Sequence, residues 1–150
     1  MRAIILALAV VAATAGPSFA QDAAAPAVPN ARVFSGGAGL VLYTIKSGST
    51  TDFEMVLNKA KEALMKSEKP ERKEQAASWR VYKSDTPSAN GNVTYVMIID
   101  PAIKGADYNI VNILNEAFPA EIQALFKQYT EAFASGLIPI NLLPVVDYSK

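Results

Sequence analysis

Two side chains are missing altogether from these 150 residues: there is no cysteine and no histidine. Without them the chain has no Ser-His-Asp or Cys-His nucleophile, no imidazole base and no ordinary zinc or copper site. Axial histidine or thiolate ligation of haem iron is excluded as well. No disulfide can form, so packing alone must hold the fold. An excess of one charge is also lacking, since 14 basic residues stand against 14 acidic ones. A balanced chain offers no basic stripe to a phosphate backbone, which argues against nucleic acid as a partner. What remains is carboxylate, tyrosine, lysine or cofactor-free chemistry, with no cofactor implied.

What is present begins with an export signal over residues 1–20. Arg2 supplies the positive start, Ala3 to Ala15 are thirteen largely apolar residues, and Gly16-Pro17 breaks the helix. Ser18-Phe19-Ala20 then places small residues where a signal peptidase reads, so cleavage is expected near Ala20. Thirteen residues fall short of the roughly twenty that span a bilayer, so no stable membrane anchor is expected. The protein should reach the periplasm or the medium. Removing Arg2 leaves 13 basic residues against the 14 acidic ones, a net charge near −1. Residues 21–37 read as a flexible Ala/Pro-rich leader, and residues 38–150 as a single domain.

The body alternates strand and helix signals. Leu40 to Ile45 (LVLYTI) predicts a strand buried on both faces. Thr51 and Glu54 have capping-box spacing, and Phe53, Val56, Leu57, Ala60 and Leu64 form an apolar stripe on a helix to about Lys66. Ser67 to Gln75 reads as a charged, solvated connector with a helical turn started at Pro70. Trp79 to Lys83 and Val93 to Ile99 predict a hairpin with a long loop, Asp100-Pro101 stopping its second strand. Asp107 is placed to cap a second helix that continues through Pro119 and ends at Gly136. Ile138 to Val146 reads as a final strand, its two prolines suiting an edge.

Strand, helix, strand, strand, helix, strand is the ferredoxin-like βαββαβ order, α+β, with both helices on one face of a four-stranded antiparallel sheet. Yet the first and third strands are apolar at both parities. A sheet of four strands of about six residues covers roughly 400 Å². At about 25 cal/mol per Å², leaving one face wet forgoes on the order of 10 kcal/mol. A second copy packed sheet on sheet is the simplest cover, which makes the partner another copy of the chain.

That element order, the helix TTDFEMVLNKA after the first strand and the strand VTYVMIIDP running into a second helix resemble the dimeric α/β-barrel superfamily. Its antibiotic-biosynthesis-monooxygenase-like, exported bacterial members are the nearest in type. The resemblance covers about residues 38–146 and implies a homodimer with a pocket between sheet and helices. It also implies cofactor-independent oxygenase chemistry as an alternative to plain binding, with Asn112 and Trp79 as nominal candidates. The haem-degrading branch of the superfamily uses a histidine that this chain lacks.

The candidate ligand-binding residues are Trp79, Tyr82, Tyr43, Tyr95 and Asn112. Aromatic rings with polar tips suit a small apolar or aromatic ligand, and core and interface packing is the more economical account of them. Strand parity does not decide which sheet face carries Tyr43, Tyr95 and Trp79. The pairs Asp52/Glu54 and Glu116/Glu121 are read as helix-terminal charges rather than metal ligands. Three readings stay open: a non-catalytic homodimeric binding or interaction module, a cofactor-free oxygenase-like enzyme, and a structural accessory acting through its surface.

Overall fold

The computed structural model describes residues 30–88 and 90–148. The expected signal over residues 1–20 and the leader up to residue 29 lie outside the described residues. The chain forms β1 (Ala38–Ile45), α1 (Thr50–Lys66), α2 (Pro70–Ser78), β2 (Trp79–Lys83), β3 (Val93–Ile99), α3 (Ile110–Ala117), α4 (Ile122–Glu131) and β4 (Ile138–Leu142). It is an α+β fold with one open, four-stranded antiparallel sheet in the order β2-β3-β1-β4.

The sheet presents one face to the helices. Val41, Tyr43 and Ile45 of β1 and Tyr95, Met97 and Ile99 of β3 are buried there against Phe53 and Val56 of α1, Ile110 and Leu114 of α3, and Leu125 and Tyr129 of α4. Period-two alternation sends the intervening residues to the other face. The register brings them together in two rows: Arg80, Ile98, Leu40 and Ile140, then Tyr82, Val96, Leu42 and Ile138. Six of these eight are aliphatic and a seventh is Tyr82. Within one chain β1 is therefore buried on one face only, not on both as its composition suggested; Leu40 and Leu42 are half-buried. At the edges Tyr82 and Ile138 are more than half exposed.

Several local expectations change, each for a packing reason. A 3-10 turn over Ser47–Ser49 leads directly into α1, so the helix starts earlier and Ser49 occupies the N-cap without a side-chain hydrogen bond. Thr51 is thus inside the helix, and the Thr51/Glu54 capping box does not form. The charged connector is a nine-residue helix with Pro70 in its first turn. Its face is not merely solvated: the Arg72 guanidinium donates to Gln75 Oε1 (2.8 Å), to the Asp107 carbonyl (2.9 Å) and to Glu116 Oε2 (2.9 Å). Gln75, fully buried, also donates to the Asp107 carbonyl.

The second helix is divided in two. Phe118, forced out of helical geometry before Pro119, closes α3, and α4 restarts at Ile122. With α2 there are therefore four α-helices rather than two among the described residues. Asn109, not Asp107, is the N-cap of α3, accepting from the Val111 amide. Helix α4 stops at Glu131, before Gly136, because Phe133 bridges to Ile45 and Ala134 N donates to the Thr44 carbonyl at the end of β1. Strand β4 ends at Leu142 at the sheet edge, and Leu143, Val145, Val146 and Tyr148 beyond it are exposed.

The packed body also begins before residue 38. Arg32 N donates to Asp107 Oδ1 (2.7 Å), Tyr108 N donates to the Arg32 carbonyl (2.8 Å), and Phe34 is buried against Tyr108. The last part of the expected leader is part of the core.

Candidate functional site

Helix α1 is too narrow to roof the whole sheet. Its innermost stripe, Phe53, Val56 and Ala60, settles over β1 and β3, and Leu64 near its end packs with Ala63 and Ile113. The neighbouring stripe, Glu54, Leu57, Asn58, Lys61 and Met65, follows the same 3.6-residue period and looks across at edge strand β2. On β2, alternation places Trp79, Val81 and Lys83 on the helix side. Between these two walls runs a half-open groove of about 490 Å³, floored by Tyr95 and Met97 of β3 and by Ile110 of α3. That volume lies within the range of small-ligand sites.

The groove changes character along its length. At one end, Trp79 packs with Leu64 and Ala76 and meets the Tyr108 ring edge-on at 5.4 Å. At the other end, Glu54 Oε1 accepts from Tyr95 Oη (2.5 Å) and Lys83 Nζ (2.9 Å). The Lys83 ammonium lies 5.7 Å from the centre of the Tyr95 ring. Hydrogen bonds from Tyr95, then Lys83, hold the Glu54 carboxyl below the ordinary glutamate value. Burial, then the bond to the Glu54 carboxylate, pushes the Tyr95 phenol up to about 12, so it remains a neutral donor.

The sequence-derived candidates separate into three places. Trp79 and Tyr95 line the groove together. Tyr43 is at the centre of the core, in ring contact with Phe53, Tyr129 and Phe133, with its hydroxyl donating to Met97 Sδ at 3.6 Å. Burial, with the Tyr129 hydroxyl beside it, raises Tyr43 well above the ordinary tyrosine value. Tyr82 points to the opposite sheet face, in a row with Val96. Asn112 is on α3, where its amide donates to Asp107 Oδ2 at 2.6 Å and so braces the turn before the helix.

Three of the four acidic residues read as pairs are held by cations. Glu116 pairs with Arg72 and Lys69, Glu121 with Lys59, and Glu54 with Lys83. The residues that sequence reasoning did not single out are Glu54 as a groove residue, Lys61, Lys83, Met65 and Val81. Their signal was faint: Lys83 is simply the next helix-side residue after Trp79 and Val81 on an alternating strand.

No protein-family model matches this chain, and neither a curated protein nor a solved structure is significantly similar to it.

Proposed function

We propose that the chain is an exported, non-catalytic binding module that holds a small apolar or aromatic ligand and acts as a homodimer. The observation that carries the binding reading is the groove itself, an apolar trough beside the chain's single tryptophan. Its lining has a hydrogen-bonded acid, phenol and amine at one end. Positioned polar groups around an apolar floor suit recognition.

The homodimer reading rests on the other sheet face. Two in-register apolar rows of Leu40, Leu42, Val96, Ile98, Ile138 and Ile140 form a continuous surface of the kind that packs sheet on sheet. The strand order β2-β3-β1-β4 supports a ferredoxin-like arrangement, and two such sheets face to face would make the dimeric α/β barrel. Export follows from the N-terminal signal reading.

Native mass spectrometry of protein from its original host tests both parts. The expected result is a dimer mass with a retained small molecule, and loss of that molecule on Trp79→Ala with the dimer intact. A bare monomer across micromolar concentrations overturns the dimer, and an empty groove in every preparation overturns the binding role. Leu42→Lys, on the open face, should yield a folded monomer.

A further inference from the structure

We infer that the groove takes an amphiphile with an aliphatic body and one anionic head group, the class of medium-chain carboxylates, lying along β2 with its head between Lys83 and Lys61. This rests on the ligand-binding reading above and specifies its chemistry.

The first argument is the gradient of polarity along the groove. Strand β2 and helix α1 run in opposite directions past each other: Lys83 meets Glu54 near the start of α1, and Trp79 meets Leu64 near its end. One end is therefore walled by Trp79, Leu64, Met65 and Ala76, the other by Lys83, Glu54, Tyr95 and Asn58, and Lys61 stands on α1 between them. Trp79 to Lys83 spans four strand steps, about 13 Å. A linear molecule with one apolar and one polar end fits such a trough better than a compact or uniformly polar one.

The second argument is charge. The groove lining holds two ammonium groups, Lys61 and Lys83, and one carboxylate, Glu54. Lys83 is committed to Glu54, whereas Lys61 is exposed and makes no ion pair among the described residues. The surplus is one positive charge in the groove lining. Tyr95 adds none in neutral solution because its phenol stays protonated. A carboxylate head completes this balance, an alkylammonium head meets a like charge, and an alcohol is indifferent.

Three probes of one chain length, decanoate, decanol and decylammonium, separate the possibilities below their micellar concentrations. Trp79, as the only tryptophan, reports occupancy of the groove by its fluorescence. Decanoate is expected to bind tightest, with decylammonium weakest. Lys61→Glu should weaken decanoate by about tenfold, the equivalent of roughly 1.4 kcal/mol, and leave decanol unchanged. Val81→Asp, an exposed change midway along the trough, should weaken decanoate and decanol alike. Equal binding of the three probes, or tighter binding of decylammonium, overturns the anionic head while leaving the groove as a ligand site. Binding of none of them overturns both readings. Binding indifferent to Val81→Asp overturns the location.

Discussion

The ring of Phe34 occupies the space a side chain at position 39 would need: a Cβ on Gly39 would overlap Phe34 Cδ1 and Cγ. Phe34 is itself buried and packs on Tyr108, so its ring has nowhere to withdraw. This contact locks the segment before β1 onto the sheet. Gly39→Ala should therefore cost about 1–3 kcal/mol, the usual range for overpacking. The matched control is Gly48→Ala, where nothing lies within 4 Å of the added atom and little change is expected. Urea unfolding of the two variants side by side checks the difference.

Arg72 ties α2 to the turn that precedes α3. Its guanidinium serves Gln75, the Asp107 carbonyl and Glu116 together, with its side chain 12% exposed. Arg72→Met should destabilise by roughly 2–3 kcal/mol because buried Gln75 loses a partner as well. Lys66→Met, which breaks only an exposed pair with Glu62, should leave stability almost unchanged. Chemical denaturation distinguishes the two.

The Tyr95 hydroxyl is the first cause of the lowered Glu54 value. Tyr95→Phe should move the Glu54 carboxyl upward toward the ordinary glutamate range, as followed by carboxyl-carbon NMR titration. Removing one partly buried hydrogen bond should lower stability by about 1 kcal/mol. An unmoved Glu54 would mean that Lys83 alone sets it.

Stability should form a plateau between about pH 5 and pH 9, because no histidine or cysteine titrates there. Glu54, Glu62 and Glu116 lie below the ordinary glutamate value of 4.5 in the folded chain. Their contribution is complete above that value and is lost as pH falls through the folded values. Tyr43, Tyr95 and Tyr129 lie above 10, so their contribution holds below 10 and is lost as pH rises toward the folded values, about 12 for Tyr95. Melting temperatures from pH 3 to about pH 11 should decline at both ends and stay level between.

Strand identity was legible because it depends on local alternation. Val93–Ile99 matches the range read from VTYVMII, and β2 agrees to the residue. Helix ends were less legible. The end of α4 is set by Phe133 and Ala134 joining the end of β1, a partnership 88 residues apart for Phe133 and Ile45 that no neighbouring residue announces. The start of α1 depends on a preceding 3-10 turn, which displaced a capping box whose spacing was sound. Among the candidate site residues, Trp79 and Tyr95 line one groove from its opposite ends because strands β2 and β3 pair with their helix-side residues in register; Tyr43 and Tyr82 part because their parities are opposite.

By itself the sequence determined the chemistry available and the elements to be assembled. Absent imidazole and thiol are absent in any conformation, and an apolar period of two or 3.6 is a property of neighbours along the chain. Only the tertiary structure decided which sheet face the helices cover, where Phe34 lodges, and that α1 stops short of β2 to leave a trough. Those outcomes depend on volume and register between segments far apart in sequence, where a side chain's direction matters as much as its identity.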